Sequence, residues 1–172
     1  MSLHAQKEAR IIACIPSLRR YARGLTGDAH RADDLVQDTL ERAWARFPLW
    51  RMRGELRAWM FGIMHNLFID RVRGAYDRYE VSCGDDFPTV PVRATQTDNL
   101  EIRDLDRLLQ ELPPDLRAVI LLVSVEEMSY AQAAAVMGVA VGTIMSRLSR
   151  AREQLSARMR QHEPVASMRS VK

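Results

Sequence analysis

Seven side chains between residues 143 and 152 are suited to reading DNA. Thr143, Met145, Ser146, Arg147, Ser149, Arg150 and Arg152 follow Gly142. On one helix, short polar side chains can reach base edges in a major groove while guanidinium groups reach guanines or phosphates. A second set mixes flat rings with arginines: Trp50, Arg51, Arg53, Arg57, Trp59, Arg71 and Arg73. Rings stack on unpaired bases and arginines follow the backbone, which suits single-stranded nucleic acid. Rings at helical spacing also fill cores, so both readings of this set stay open. Nothing in the chain assembles the nucleophile, acid, base or metal set that catalysis needs, so no reaction is expected. Cys14 and Cys83 lack paired ligand spacing, and His4, His30, His65 and His162 are scattered, so no metal or other cofactor is expected.

The first set needs a helix held by a partner helix, and residues 128–155 supply both. Ser129 with Gln132 three places on is a capping-box pattern that starts a short alanine-rich helix over Tyr130 to Met137. Gly138 accepts the left-handed backbone of a sharp turn. Beyond it Ile144, Leu148, Ala151 and Leu155 form an apolar stripe, with Gly142, Ser146 and Ser149 on the opposite side. A packing hairpin with a solvated basic face has the same pattern.

Upstream, Ala9 to about Gly27 reads as a helix interrupted or offset at Pro16, after frayed residues Met1 to Lys7. From Asp28 to Phe47 a stripe of Ala32, Leu35, Val36, Thr39, Leu40, Ala43, Trp44 and Phe47 faces away from Asp33, Asp34, Gln37, Asp38 and Glu41. This acidic side is a solvated face or a dock for a basic protein partner; it is a poor surface for DNA. Pro48 to Glu55 reads as a loop. A helix from Leu56 to about Arg73 turns Leu56, Met60, Ile63, Met64 and Leu67 to a core, with Trp59, Phe61 and Phe68 pointing elsewhere.

From Gly74 the pattern decays, and Val81 to Asp98 reads as an acidic, flexible linker. Helices resume near Asn99, break at Pro113-Pro114, and continue from Asp115 to Glu126-Glu127. After Met159 the tail lacks a period and reads as disordered. The chain of 172 residues is therefore expected to be all-α, in two small helical domains, 9–80 and 99–160, with linker 81–98 and tail 161–172. A net charge of +3 is too small to prove nucleic-acid binding. Lys7 and Lys172 are the only lysines; this arginine bias suits forked contacts to phosphate and guanine, and follows equally from a GC-rich genome. No signal peptide is evident and the apolar run Ala118 to Val125 is too short to span a bilayer, so a cytoplasmic protein without membrane insertion is expected.

Four phrases resemble one family. GVAVGTIMSRLSRAREQL is similar to the final helix-turn-helix of bacterial sigma factors of the extracytoplasmic-function (ECF) group, and LPPDLRAVILL to the segment before it. ADDLVQDTLERAW resembles their polymerase-docking helix, and LRAWMFGIMHNLFIDRVR the segment that opens and reads the −10 element. The resemblance covers about residues 10 to 160. It implies a dissociable subunit of RNA polymerase with a region 2-like bundle and a region 4-like domain, bacterial and cytoplasmic.

By position it assigns Asp34, Gln37, Asp38 and Glu41 to the clamp coiled coil of core RNA polymerase, and leaves the flap as a further polymerase contact. It places Trp59, Asn66, Asp70 and Arg73 on matching positions of the −10 reader and gives the −35 element of promoter DNA to the set at 143–152. Extruding a −10 base costs a few kcal/mol of stacking and pairing, which a pocket under the preceding loop must offset. Trp50 with Arg51, and Arg53-Gly54-Glu55, depart from the usual loop wording, and Met145 and Ser149 from the bulky or basic residues usual in the −35 reader; both departures imply altered base preference. The resemblance further implies an anti-sigma factor as inhibitor, for which the apolar seams between helices offer a seat. A stand-alone helix-turn-helix repressor, which would bind duplex DNA without polymerase, and a pure protein-interaction module are the alternatives.

Overall fold

The computed structural model describes the backbone of residues 3–47, 55–80 and 100–162, with side chains within 8–47, 55–77 and 104–161. Trp50, Arg51 and Arg53, the linker 81–98 and the tail beyond His162 lie outside the described residues. Seven α-helices carry the described chain: α1 (Leu3–Thr26), α2 (Ala29–Arg46), α3 (Leu56–Glu80), α4 (Leu100–Gln110), α5 (Pro114–Ile120), α6 (Tyr130–Met137) and α7 (Val141–His162). Between α5 and α6 the chain widens into a π turn over Leu121–Val125.

Helices α1, α2 and α3 pack on one another, and α3, buried on several sides, also packs on α6. Leu18, Tyr21, Ala22 and Leu25 of α1 meet Leu35 and Ala43 of α2 and Met60, Phe61 and Met64 of α3, all fully or almost fully buried. Burying each large side chain contributes about 1.5–3 kcal/mol relative to exposure. Thr39 is the polar exception in the α2 stripe, and its hydroxyl is satisfied by donating to the Leu35 carbonyl at 2.7 Å. Asp28 starts α2 by accepting from the Arg31 amide at 2.9 Å, and that bond holds its carboxyl below the ordinary range.

Several sequence expectations need correction. Helix α1 begins at Leu3, within the stretch expected to fray, and runs unbroken through Pro16. Pro16 lies on the exposed side with Ile12, whose carbonyl loses its partner amide to proline where water can replace it. Helix α3 continues past Gly74 to Glu80 because an apolar period reports a packed face, and Ala75, Tyr76 and Asp77 form an exposed extension with none. Phe61 and Phe68 do not point away from the core; both are buried, since α3 is packed by α1, α2 and α6. Trp44, assigned to the buried stripe, is half exposed. Helix α4 ends at Gln110, before the proline pair, and α7 reaches His162, into the expected tail.

The two groups of helices are docked. Helix α3 packs on α6, while α1 meets α4, α5 and the π turn. Gly24 and Gly27 both approach the second group closely: an added Cβ would lie 2.7 Å from Leu121 Cδ2 at Gly24 and 2.6 Å from Gln110 Cδ at Gly27, so a side chain at either would make its neighbour shift. Arg117 ties the joint to both sides, donating to the carbonyls of Leu25, Leu109, Gln110 and Leu112 at 2.6–3.0 Å and to Gln110 Oε1 at 2.7 Å. Burial lowers its pKa to about 10, so it stays charged at neutral pH and is held by carbonyl dipoles at the ends of two helices.

Candidate nucleic-acid and partner interfaces

The helix-turn-helix forms as its residues require. Ser129 Oγ accepts from the Gln132 amide at 3.2 Å while Gln132 Oε1 accepts from the Ser129 amide at 2.8 Å, closing the capping box. Gly138 turns the chain at φ 65°, with its amide on the Ala134 carbonyl. Ala133, Ala134, Val136 and Met137 of α6 are buried, as are Ile144, Leu148 and Ala151 of α7; Leu155 is partly so. This leaves Met145, Ser146, Ser149, Arg150 and Arg152 exposed along the far side of α7. Thr143 and Arg147 are half-buried: Arg147 pairs with Asp115 at 2.9 Å, and the Thr143 carbonyl accepts from Ser146 Oγ at 3.1 Å. Of the expected −35 set, five side chains are open to a groove and Arg147 is committed to a partner.

The expected −10 set is divided. Asn66 and Arg73 are exposed on α3. Trp59 is half-buried, its ring edge-on to Phe47 at 6.4 Å, so packing already uses part of it. Arg71 is paired with Asp38 of α2. Asp34, Gln37 and Glu41 are exposed and Asp38 half-buried on the side of α2 away from α1 and the core, with Gln37 Nε2 donating to Glu41 Oε1 at 3.1 Å.

Asn66 and Arg73 line one cleft of about 490 Å³ together with Arg147 of α7 and with Arg42 and Arg46 of α2. Residues assigned to two different DNA elements therefore face each other. Arg42 and Arg46 were missed from the sequence; their signal was the four-residue ridge Asp34, Asp38, Arg42, Arg46, acidic at one end and basic at the other. Also missed was the joint between the two helical groups. Glu126, read as the end of a helix, is buried and accepts from Arg20 Nε at 3.2 Å and from Arg57 Nη2 at 2.7 Å. His65, set aside as scattered, is buried with its Nδ1 3.4 Å from the Tyr21 hydroxyl. Burial pushes the imidazole pKa down to about 4, against Asp115, which raises it, and with Arg147, which lowers it further. Burial also pushes the Tyr21 phenol up, with the Glu126 charge adding to it.

This geometry can present an acidic ridge to one partner and a basic helix and cleft to another. Comparison with known proteins bears on which partners. Residues 11–65 match the family model described as the Sigma2 domain of PhyR, and residues 102–155 the one described as Sigma-70, region 4. The chain is 44% identical over 147 residues to the ECF RNA polymerase sigma factor EcfG of Rhodopseudomonas palustris (strain TIE-1), covering 86% of this chain and 81% of that protein. It is 31% identical over 142 residues to the ECF RNA polymerase sigma factor SigM of Bacillus subtilis (strain 168), covering 80% and 85%. Among solved structures it is similar to the sigma factor RpoE in complex with the anti-sigma factor NepR from Bartonella quintana, at 34% identity and TM-score 0.78 over 92% of this chain and 99% of that one. It is also similar to CnrH in complex with the cytosolic domain of CnrY, at 28% identity and TM-score 0.64 over 92% and 88%.

Proposed function

This chain belongs to the ECF RNA polymerase sigma factors, and from that premise we propose how its surfaces divide the work. It is an alternative sigma factor that binds core RNA polymerase, directs initiation at a subset of promoters, and is controlled by an anti-sigma factor. The observation that carries this is the 44% identity running through both helical groups, since one shared domain alone would fit many DNA-binding proteins.

Residues 9–80 form the polymerase-binding and −10-melting domain and 99–160 the −35-binding domain. The ridge of Asp34, Gln37, Asp38 and Glu41 meets the clamp coiled coil, where opposite charge steers encounter and fixes register. Asn66 and Arg73, with Trp50, Arg51, Arg53, Trp59 and Arg71, serve the −10 strand. Thr143, Met145, Ser146, Arg147, Ser149, Arg150 and Arg152 serve the −35 duplex. Arg147 must leave Asp115 to contact a base or phosphate, so its contribution is reduced by that pair. No single described helix is long and apolar enough to cross a membrane. The RpoE structure holds the anti-sigma factor NepR and the CnrH structure holds the cytosolic domain of CnrY, and an anti-sigma factor is the partner assigned here to the seams of this chain.

Run-off transcription with core polymerase on a library of genomic fragments tests the reading. Discrete transcripts that depend on this chain are expected. Tight binding of the chain alone to palindromic duplex, with no polymerase-dependent transcript, would establish a stand-alone repressor in its place.

A further inference from the structure

The cleft lined by α2, α3 and α7 gathers positive charge that the protein itself does not neutralise. Arg42 and Arg46 stand one turn apart on α2, Arg73 comes from α3 and Arg147 from α7. Two carboxylates, Asp70 and Asp115, share the lining. Asp115 is taken up by Arg147 at 2.9 Å. Arg42, Arg46 and Arg73 make no ion pair among the described residues, not even with Asp70. Like charges one helical turn apart repel, and concave walls of low dielectric concentrate their field, so an anion bound here would relieve the repulsion.

His65 is a second and independent observation. It lines the cleft from the core side and is only 4% exposed. With a pKa of about 4 its ring is neutral at pH 7 and carries one N–H. The Tyr21 hydroxyl lies 3.4 Å from Nδ1, and burial pushes that phenol up, so Tyr21 keeps its proton and donates it to Nδ1. The ring proton then sits on Nε2, which has no acceptor among the described residues. Buried donors are rarely left in that condition, and a phosphoryl oxygen is an acceptor of the right kind.

Size and lining narrow the ligand. A volume of about 490 Å³ lies within the range of small-molecule sites, roughly 300–1,000 Å³. Ile69, Met137 and Val139 give the cleft an apolar side that a bare anion would not use and an organic group would. Arginine forks donate two parallel bonds to phosphate, and three of them outnumber what one phosphoryl group needs.

We propose that this cleft binds a small molecule bearing a diphosphate, with Arg42, Arg46 and Arg73 on the phosphoryl oxygens, His65 Nε2 donating to one of them, and Ile69, Met137 and Val139 taking the organic part. The site stands on the cleft's own geometry and does not depend on the sigma-factor reading.

The test is calorimetric titration of the full chain, at neutral pH and physiological salt, with inorganic pyrophosphate, ADP and GDP. Each should bind one molecule per chain, the nucleotides more tightly than pyrophosphate. Arg42→Gln with Arg46→Gln, both exposed and so expected to leave helicity unchanged, should lower affinity by about tenfold or more, since charge-assisted bonds are lost. Arg19→Gln, exposed on α1 and outside the cleft, should bind as wild type does. In nitrogen-detected NMR the His65 Nε2 resonance should move in step with occupancy. No binding of any of the three, several weak sites per chain, or an equal loss in Arg19→Gln would overturn the site. An unmoved His65 resonance would overturn it as well, leaving a diffuse association with surface arginines. Equal affinity for all three ligands would overturn the role given to the apolar side. A short single-stranded oligonucleotide that binds and is lost in the double variant, with no diphosphate bound, would make the cleft a nucleic-acid track and overturn the proposal.

Discussion

Asp38 of α2 and Arg71 of α3 are bonded side chain to side chain, linking the ridge assigned to polymerase with the helix assigned to the −10 strand. Both are partly exposed, at 39% for Arg71 and 47% for Asp38, so water screens the pair. Such pairs contribute about 0–1 kcal/mol. Arg71→Ala is therefore expected to shift the urea midpoint by no more than that amount while lowering open-complex formation, read by reactivity of unpaired thymines. A loss of several kcal/mol in the urea titration would make Arg71 a structural residue.

His65 gives the fold a defined acid sensitivity. Its pKa is about 4 in the folded chain against an ordinary value of 6.5. Between these values the unfolded chain holds a proton that the folded one excludes. The stabilisation is complete above pH 6.5 and is lost as pH falls towards 4, amounting to roughly 3 kcal/mol from a shift of this size. Tyr21, Asp115 and Arg147 surround the ring, and none of them offers a proton acceptor strong enough to reverse the sign. Urea unfolding at pH 7, 5.5 and 4.5 should show the decline in wild type and a shallower one in His65→Gln. Parallel curves would remove His65 from the account.

Arg117 is expected to be the most costly single truncation in the joint. Its guanidinium satisfies four carbonyls and the Gln110 side chain. Arg117→Met should destabilise by about 2–4 kcal/mol, since buried acceptors lose charged donors. Arg117→Lys should rescue little, because one ammonium cannot reproduce the fork. Thermal melts of the three proteins check the ranking.

Legibility in the sequence followed the range of the forces. Ser129, Gln132 and Gly138 act within one turn, and the hairpin they define formed as the spacing said. The α2 stripe was equally plain, except at Trp44, because amphipathicity is a local signature. Phe61 and Phe68 were misplaced because burial of α3 on several sides depends on α6, which is distant in sequence. The end of α3 beyond Gly74 was invisible for the opposite reason: Ala75, Tyr76 and Asp77 are exposed, so no apolar period marks them. Glu126 could not be recognised as a buried ion, since its partners lie 106 and 69 residues away and only the docked fold unites them. The family wording of α2, α3 and α7 located the candidate surfaces, but not that Asn66, Arg73 and Arg147 share a cleft.

Arg150 is exposed on α7 and is the simplest probe of the −35 surface. For holoenzyme assembled with Arg150→Ala, promoter affinity should fall by roughly 1–3 kcal/mol if the contact is to a base. If it is to a phosphate, the slope of log affinity against log salt should shrink by about 1 across all sequences. Unchanged affinity and unchanged slope would remove Arg150 from the interface.

The direct test of the whole account is capture of core RNA polymerase by the acidic ridge. Asp38 also holds Arg71, so the clean variant spares it and reverses Asp34 and Glu41, both exposed, as Asp34→Lys with Glu41→Lys. Wild type should co-purify with core polymerase in a one-to-one complex, and the variant, with unchanged helicity and melting temperature, should lose that complex at least tenfold in affinity. A folded double variant that retains core polymerase as well as wild type does would contradict the account.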